Sequence, residues 1–471
     1  MTYPDATGEM IAIVRSMQRA QIARGAADGN LRRDRLERAI RLILDHHDRL
    51  VRAMNADFGH RSRYQSLIAD VGTTVKSLSH AAEHVSGWMQ PEVIDTGEAT
   101  LRARIEYQPL GVVGIIAPWN FPVNLAFSPL AGVFAAGNTA LLKPSELTPR
   151  TSELIAELVA RYFAPDELGV VLGDATVGAG FAGLPFDHLI FTGSSAVGRH
   201  VMKAAADNLV PVTLELGGKS PVVVAGDADL SLAARRVMTV KTFNAGQICL
   251  SPDYVMIGRD QEAAFIHEAR EAVTCAFPTM QGNPDYTAII STRHYDRLLG
   301  LLADALAKGA TAVPLTPLNE MPHDPVTRKM APVILRDVIP DMAVMREEIF
   351  GPILPVMTVA DEDAAIAHIN AGPRPLAAYY FGGNEAARAR FAARTTSGAL
   401  VVDDVMTHAS MECLPFGGVG AAGMGAYHGI HGFRRFSHAR PVVVQGGEGG
   451  ARLRAPYGEK LGVLEEMLSG R

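Results

Sequence analysis

A chain of 471 residues, 48% apolar and 20% charged, is long enough for two or more domains and carries enough apolar mass to fill their cores. A net charge of −6, with acidic and basic residues mixed along the chain, excludes the basic stripe that a nucleic-acid backbone demands, so no nucleic-acid partner is expected. Three cysteines, at 249, 275 and 413, exclude a disulfide framework, and the absence of any run of roughly 18 uncharged apolar residues leaves no membrane span to expect.

The first 21 residues, MTYPDATGEMIAIVRSMQRAQ, contain acidic side chains and no long apolar stretch. They do not read as a signal peptide, and the expected compartment is the reducing cytoplasm. Residues 30 to 56 place Leu36, Ile40, Ile43, Leu44 and Leu50 at helical spacing, and residues 62 to 90 continue as helix up to Pro91. LRARIEYQ, 101 to 108, alternates apolar and charged side chains, which predicts a strand with one wet face at an edge or in an arm.

From Gly111 the pattern changes. GVVGIIAPWN is a buried strand, LAFSPLAGVFAAGN a helix, TALL a second strand, TPRTSELIAELVARYF a helix and VVLG a short strand. FDHLIFTGSSAVGRHVMKAAADN reads strand, turn, helix, and VTLELGG closes the series. Short apolar strands alternating with helices imply a parallel sheet covered on both faces, the α/β class. A second alternation begins near residue 217 with SPVVVAGDADLSLAARRVMTV. The C-terminal segment is Gly-rich at 445 to 450 and then helical.

Several stretches carry candidate chemistry. FTGSSAVG sets Gly193 after a strand and Gly198 in the first turn of a helix, where free backbone N–H groups suit a pyrophosphate. A plain strand-to-helix turn has the same look. In KPSE, Pro144 extends Lys143 at a strand's carboxyl end, so that Lys143 and Glu146 can reach ribose hydroxyls; the other reading is a helix capped by Ser145 or Thr148. PWNFP holds Asn120 between prolines as a donor to an oxyanion or as an Asx turn. LELGGKSP places Glu215 inside an apolar strand, as a working carboxylate or a salt-bridged core residue. EEIFGPILPV presents Glu348 and Phe350, or an acidic surface loop. Cys249, in NAGQICLSPDY, gains its interest from this company, since a free cysteine is more often apolar filler. Cys275 and Cys413 keep that bland role. HGIH, 428 to 431, and DHHD, 45 to 48, have poor ligand spacing, so no metal site is expected.

Taken in this order, PWNFP, KPSE, FTGSSAVG, LELGGKSP, NAGQICLSPDY and EEIFGP resemble the aldehyde dehydrogenase superfamily from about residue 30 to 440. PFGGVGAAGMGAYHG and the short N-terminus resemble its shorter, dimeric branch. ADFGHRSRYQSLIADVG and AADNLVPVTLELGGKSP are similar to one group within it, the coniferyl aldehyde dehydrogenases. The resemblance implies two Rossmann-like domains with parallel-rich sheets plus a small β oligomerisation arm. Residues 1–98 and 109–216 would form the NAD(P)-binding domain and 217–415 the catalytic domain. Residues 99–108 and 430–445 would form the arm, and 446–471 a tail.

Roles follow from the resemblance motif by motif. Cys249 is the nucleophile, Asn120 and the Cys249 backbone N–H form the oxyanion hole, and Glu215 is the general base. Trp119, Lys143, Glu146, Gly193, Ser194, Gly198, Glu348 and Phe350 hold the cofactor. Ile248 stands where Thr or another residue is common, and its side chain shapes the substrate pocket. Glu215 favours hydrolysis to a free acid over acyl transfer to coenzyme A. A Glu146 carboxylate on the ribose 2′-OH would repel a 2′-phosphate, which favours NAD while leaving NADP open through Lys143. The expected partners are a small aldehyde, of the coniferyl type or a medium- to long-chain aliphatic one, and a second copy of the chain. A non-catalytic protein retaining the fold is the rival that Cys249, Glu215 and Asn120 together argue against.

Overall fold

The computed structural model describes residues 6–447, 449–450 and 453–470; the expected N-terminal domain and tail also include residues 1–5, 448, 451–452 and 471, which lie outside the described residues. Three sheets organise the chain. A six-stranded sheet runs, in spatial order, Gly423–Met424, Val212–Leu216, His188–Gly193, Val112–Ile116, Thr139–Lys143 and Leu168–Val170. All its pairs are parallel except that of Gly423–Met424 with Val212–Leu216. The strand order reverses between Val112–Ile116 and His188–Gly193, which creates the crevice where open α/β sheets bind ligands.

A seven-stranded sheet runs Thr311–Pro314, Val333–Arg336, Ile353–Val359, Tyr254–Gly258, Pro221–Val224, Ala377–Phe381 and Ala399–Val402. Only the Thr311–Pro314 edge is antiparallel. The third sheet joins Glu92–Ile94, Leu101–Pro109 and Ser437–Gln445. Leu101–Pro109 is therefore a strand, as its alternation predicts, and it is the central one of three, not an edge.

The first long helix, Gly29–Phe58, starts where Asp28 accepts a hydrogen bond from the Leu31 N–H at 2.8 Å. Leu36, Ile43 and Leu50 are fully buried on one stripe, each contributing about 1.5–3 kcal/mol. Leu44 is 49% exposed, contrary to its place in the expected apolar set, because it lies about 100° round the helix from Ile43. The segment expected as one helix from 62 to 90 is divided into Arg63–Gln65, a π-helical Ser66–Gly72 and Thr73–Trp88. The short strand expected at VVLG forms earlier, at Leu168–Val170, where it pairs with Ala140–Leu142. Before residue 217 two helices went unread. Ala6–Arg24 buries Met10, Val14 and Met17 at helical spacing, and Ala175–Ala182 is too small-residue-rich to show a stripe. Among the described residues no helix is long and apolar enough to cross a membrane.

Candidate active site

The cleft of about 670 Å³ at the switch point gathers Trp119, Asn120, Gly193, Ser194, Glu215, Cys249, Glu348 and Phe350. They come from both large sheets. Asn120 follows the carboxyl end of Val112–Ile116 and is buried. Its backbone carbonyl accepts from Arg61 Nη1 at 2.8 Å and from Asn244 Nδ2 at 3.2 Å. Its side-chain Nδ2 donates to Gln247 O at 3.2 Å, so it bridges to the loop that carries Cys249 instead of closing an Asx turn. Arg61 in turn bonds Asp70 at 2.7 Å, both side chains being fully buried. Asp70 Oδ1 accepts from the Val123 and Asn124 N–H groups at 3.0 and 3.2 Å. The π-helical segment that carries Asp70 thus clamps the Trp119–Phe121 turn from behind, and π segments recur at functional sites.

The loop that precedes Cys249 has an unusual backbone. Asn244, Ala245 and Gly246 have φ of +51°, +52° and +72° in succession. A Cβ at Gly246 would lie 2.5 Å from Gly351 O, so only glycine permits this approach. The loop is held by Gln65 Oε1 on the Asn244 N–H at 2.9 Å and by Gln247 Nε2 on Asn244 O and Ala288 O at 2.8 and 3.1 Å. The result is a rigid turn that presents Cys249, half-buried, at the cleft wall. Ile248 beside it is buried. Cys275 and Cys413, expected as packed filler, are exposed: one lies on the outer face of the Glu262–Ala276 helix, the other in an irregular surface loop.

Glu215 is buried on the Val212–Leu216 strand, and neither carboxylate oxygen has a hydrogen-bond partner. It is not the salt-bridged core residue of the alternative. An unpaired buried carboxylate is costly, and burial pushes its pKa well above the usual range, against the field of Arg435. Burial also pushes the Cys249 thiol up to about 12, reinforced by the carboxylates of Glu348 and Glu215 and opposed by the Cys249 and Leu250 N–H groups. At rest the thiol is therefore protonated, and Glu215 and Glu348 line the same cleft.

The cofactor side is built at the carboxyl ends of the first sheet. Ser194 caps the Ser195–Ala206 helix, its Oγ accepting from the Val197 N–H at 3.4 Å, while Ser195 and Ala196 line the cleft. Their N–H groups, in the first helical turn, have no intrahelical acceptor and suit a pyrophosphate. Gly198 lies behind the cleft, where a Cβ would meet Leu216 Cδ2 at 2.8 Å; its role is helix-to-strand packing. Lys143 and Glu146 also stand outside the cleft lining. Lys143 Nζ bonds Glu146 Oε2 at 3.0 Å and Pro144 O at 3.2 Å, and the Glu146 side chain is 42% exposed at the strand's end. Thr148 occupies the helix N-cap of Pro149–Tyr162 without a side-chain cap bond; Asp57 supplies that cap, accepting from Arg150 and Thr151 N–H at 3.0 and 2.9 Å.

Glu348 is half-buried in the cleft, not on an acidic surface loop. Burial pushes its pKa up to about 8, helped by Asp253 and opposed by the Gly218 N–H, Lys219 and Arg297. Its loop is anchored by Asp253 Oδ1 on the Ile349 N–H at 2.8 Å and by Arg297 Nη1 on Glu348 O at 3.3 Å. Phe350 has a strained φ of +51°. It meets the Trp119 ring edge-on at 5.4 Å, and His294 meets that ring edge-on at 5.0 Å. His294, Arg297, Asp253, Arg61 and Asp70 were not legible as site residues: His294 and Arg297 lie in no motif, and Asp253 in NAGQICLSPDY and Arg61 and Asp70 in ADFGHRSRYQSLIADVG have partners that no local pattern records. The cradle around Glu348, the free helix N-terminus and the aromatic edge fit a dinucleotide. Among the described residues no group of three His, Cys, Asp or Glu side chains could hold a metal ion.

A Cβ at Gly217 would lie 2.2 Å from Glu348 Oε2. Gly217→Ala should therefore displace the Glu348 carboxylate and weaken NAD binding by about tenfold, the loss of one charged hydrogen bond. A fluorescence titration with NAD checks this; unchanged affinity would remove Glu348 from the cofactor contacts.

Comparisons with known proteins agree with this geometry. The model of the aldehyde dehydrogenase family matches residues 1–442. The chain is 55% identical over 456 residues to the coniferyl aldehyde dehydrogenase of Pseudomonas sp. strain HR199, which covers 96% of this chain and 95% of that one. The structure of Staphylococcus aureus AldH in a substrate-bound state is similar with a TM-score of 0.92 at 33% identity, over 98% of this chain and 99% of that one. Indole-3-acetaldehyde dehydrogenase of P. syringae, in complex with NAD+ and IAA, is similar with a TM-score of 0.84 at 26% identity, over 93% and 89% of the two chains. On the match to the family model and on this likeness along nearly its whole length, the chain belongs to the aldehyde dehydrogenase family.

Proposed function

We propose that this aldehyde dehydrogenase oxidises an aromatic aldehyde of the cinnamyl type, such as coniferyl aldehyde, to its carboxylic acid. The observation that carries the chemistry is the convergence of Cys249, Asn120 and Glu215, from three separate elements, on one cleft. The substrate class is supported by the Pseudomonas relative, which bears the name coniferyl aldehyde dehydrogenase at 55% identity. NAD is the proposed cofactor, supported by the NAD+ complex of the P. syringae neighbour. We also propose the two-domain division at about residue 217, and a homodimer formed through the arm, whose Glu92–Ile94 strand and Val443 and Val444 side chains are exposed.

Once its proton has left, the Cys249 thiolate adds to the aldehyde carbonyl and leaves a tetrahedral thiohemiacetal with a negative oxygen. The Asn120 amide and the Cys249 N–H stabilise that charge, and one such donor is typically worth about 2.7–4 kcal/mol. NAD, when bound, supplies the hydride acceptor. The thioester left on Cys249 is then attacked by water, whose proton passes to Glu215. Trp119, Phe350 and His294 form an aromatic wall along one side of the cleft.

Steady-state kinetics with coniferyl aldehyde and a series of aliphatic aldehydes, each with NAD and NADP, tests this. The expected kcat/KM for coniferyl aldehyde with NAD exceeds that of the aliphatic series by about tenfold or more. The reverse order would assign the medium- to long-chain aliphatic class instead.

A further inference from the structure

We propose that Arg435 is the positioning residue that keeps Glu215 competent as a base, its guanidinium stabilising the carboxylate from the same face of the strand. The proposal rests on the assignment of Glu215 as the water-activating group.

The geometry is specific. Arg435 ends the Gly429–Arg435 helix and reaches back to the Val212–Leu216 strand, donating from Nε to Thr213 Oγ1 at 2.9 Å and from Nη2 to Val212 O at 2.6 Å. Thr213 and Glu215 are two residues apart, so their side chains share a face and lie roughly 7 Å apart along it. Gly425 leaves room for the guanidinium, since a Cβ there would stand 3.0 Å from Arg435 Nε. Gly423, paired with Glu215 across the antiparallel bridge, allows the same tail to lie flat on the strand: a Cβ there would meet Leu214 O at 2.0 Å. Among the described residues Arg435 has no carboxylate partner within salt-bridge distance, and an arginine stays cationic.

Arg199, Arg297 and Arg346 line the same cleft, but the cation that acts on Glu215 is Arg435, and the groups closest to the carboxylate carry no compensating charge. On the nucleophile loop the Cys249 thiol is protonated, and across the cleft Glu348 is held up to about 8. On the tail segment, burial pushes Tyr427 well above its usual range. On the neighbouring strand His188, bonded to Thr213 Oγ1 at 2.8 Å, is held neutral by burial, its pKa pushed down to about 3. Among the described residues the one positive charge acting on Glu215 is that of Arg435. Without it, an unpaired buried carboxylate keeps its proton and cannot take one from water.

The test needs no dinucleotide. A p-nitrophenyl ester acylates Cys249, releasing p-nitrophenolate; water then cleaves the thioester to acid and free thiol, its proton passing through Glu215. The rate of that second step is followed against pH for the wild type, R435Q, R435M, R435K and E215Q. For R435Q and R435M the acid limb should move up by about one pH unit, making the step about tenfold slower near neutrality, with recovery at higher pH. R435K should return the limb towards the wild-type position. R435Q keeps an amide donor for Thr213 and Val212, so it decides the matter if R435M does not fold. A limb that stays in place in the neutral variants, or a loss equal at every pH, overturns the proposal. If instead E215Q hydrolyses the thioester like the wild type at every pH, the assignment of Glu215 itself fails, whatever Arg435 does.

Discussion

Cys249→Ala is expected to reduce turnover by about four orders of magnitude or more while NAD binding survives, because the thiolate is the atom that forms the bond and nothing beside it can replace it. The other polar groups of the cleft are Asn120, the carboxylates of Glu215, Glu347 and Glu348, the hydroxyls of Thr192, Ser194 and Ser195, His294 and three arginines, and none of them is a thiol. Cys275 and Cys413 are exposed and form no part of the cleft lining. Removing one sulfur from a half-buried site leaves a small void and should not disturb the loop, which is held by Gln65, Asn244 and Gln247. The check is a steady-state assay beside a ligand titration. Turnover above about one per cent of wild type would place the reaction on another group.

Glu215→Gln should separate the two halves of the reaction. Hydride leaves the thiohemiacetal as before, so one equivalent of NADH appears in a burst. Steady-state turnover then falls by about 10²–10⁴-fold, since the thioester waits for an unassisted water. Rapid mixing with NADH absorbance reads both phases. An unchanged steady state would show that Glu215 does not activate water.

The same substitution has a stability consequence with a definite sign. The folded pKa of Glu215 lies above its unfolded value, so the native state retains a proton that the unfolded chain has already lost. Stability contributed by that proton is present in acid and is lost as pH rises towards the folded pKa. Glutamine has no such proton to lose, and the carboxylate it replaces makes no hydrogen bond. The variant should therefore melt at or above the wild-type temperature near neutral pH, with the advantage shrinking in acid.

The fold class and the chemical residues were legible for different reasons. Strands such as Thr139–Lys143 and Pro221–Val224 are buried throughout, so each carries a run of consecutive apolar residues, and the helices between them show their stripes. Cys249, Asn120 and Glu215 stand in segments whose glycines and prolines mark turns, and Gly217 and Gly246 now have steric reasons to be glycine. Leu44 was misplaced because periodicity tolerates one residue too many on a stripe, while the cysteines at 275 and 413 were misjudged because composition says nothing about which face of a helix or loop meets water. Lys143 and Glu146 came out of the motif as a pair, and the fold does pair them, but with each other and outside the cleft lining.

Arg61, Asp70, Asp253, Arg297 and Arg435 were invisible for a common physical reason. Each acts across a large separation along the chain: Asp70 on Val123, Asp253 on Ile349, Arg435 on Thr213, 53, 96 and 222 residues apart. No local pattern records such a contact, because an arginine in a helix has the same propensity whether it faces water or a buried carbonyl. From the order of amino acids came the catalogue of reactive groups, the alternation of strands with helices and the turns that interrupt them. Which of those groups are charged, which are aimed at one another and which are merely nearby depends on burial and on partners supplied from elsewhere in the chain. A carboxylate such as Glu215 has its chemistry set by the solvent it has lost and by the one cation that packs against its strand, and packing alone settles both.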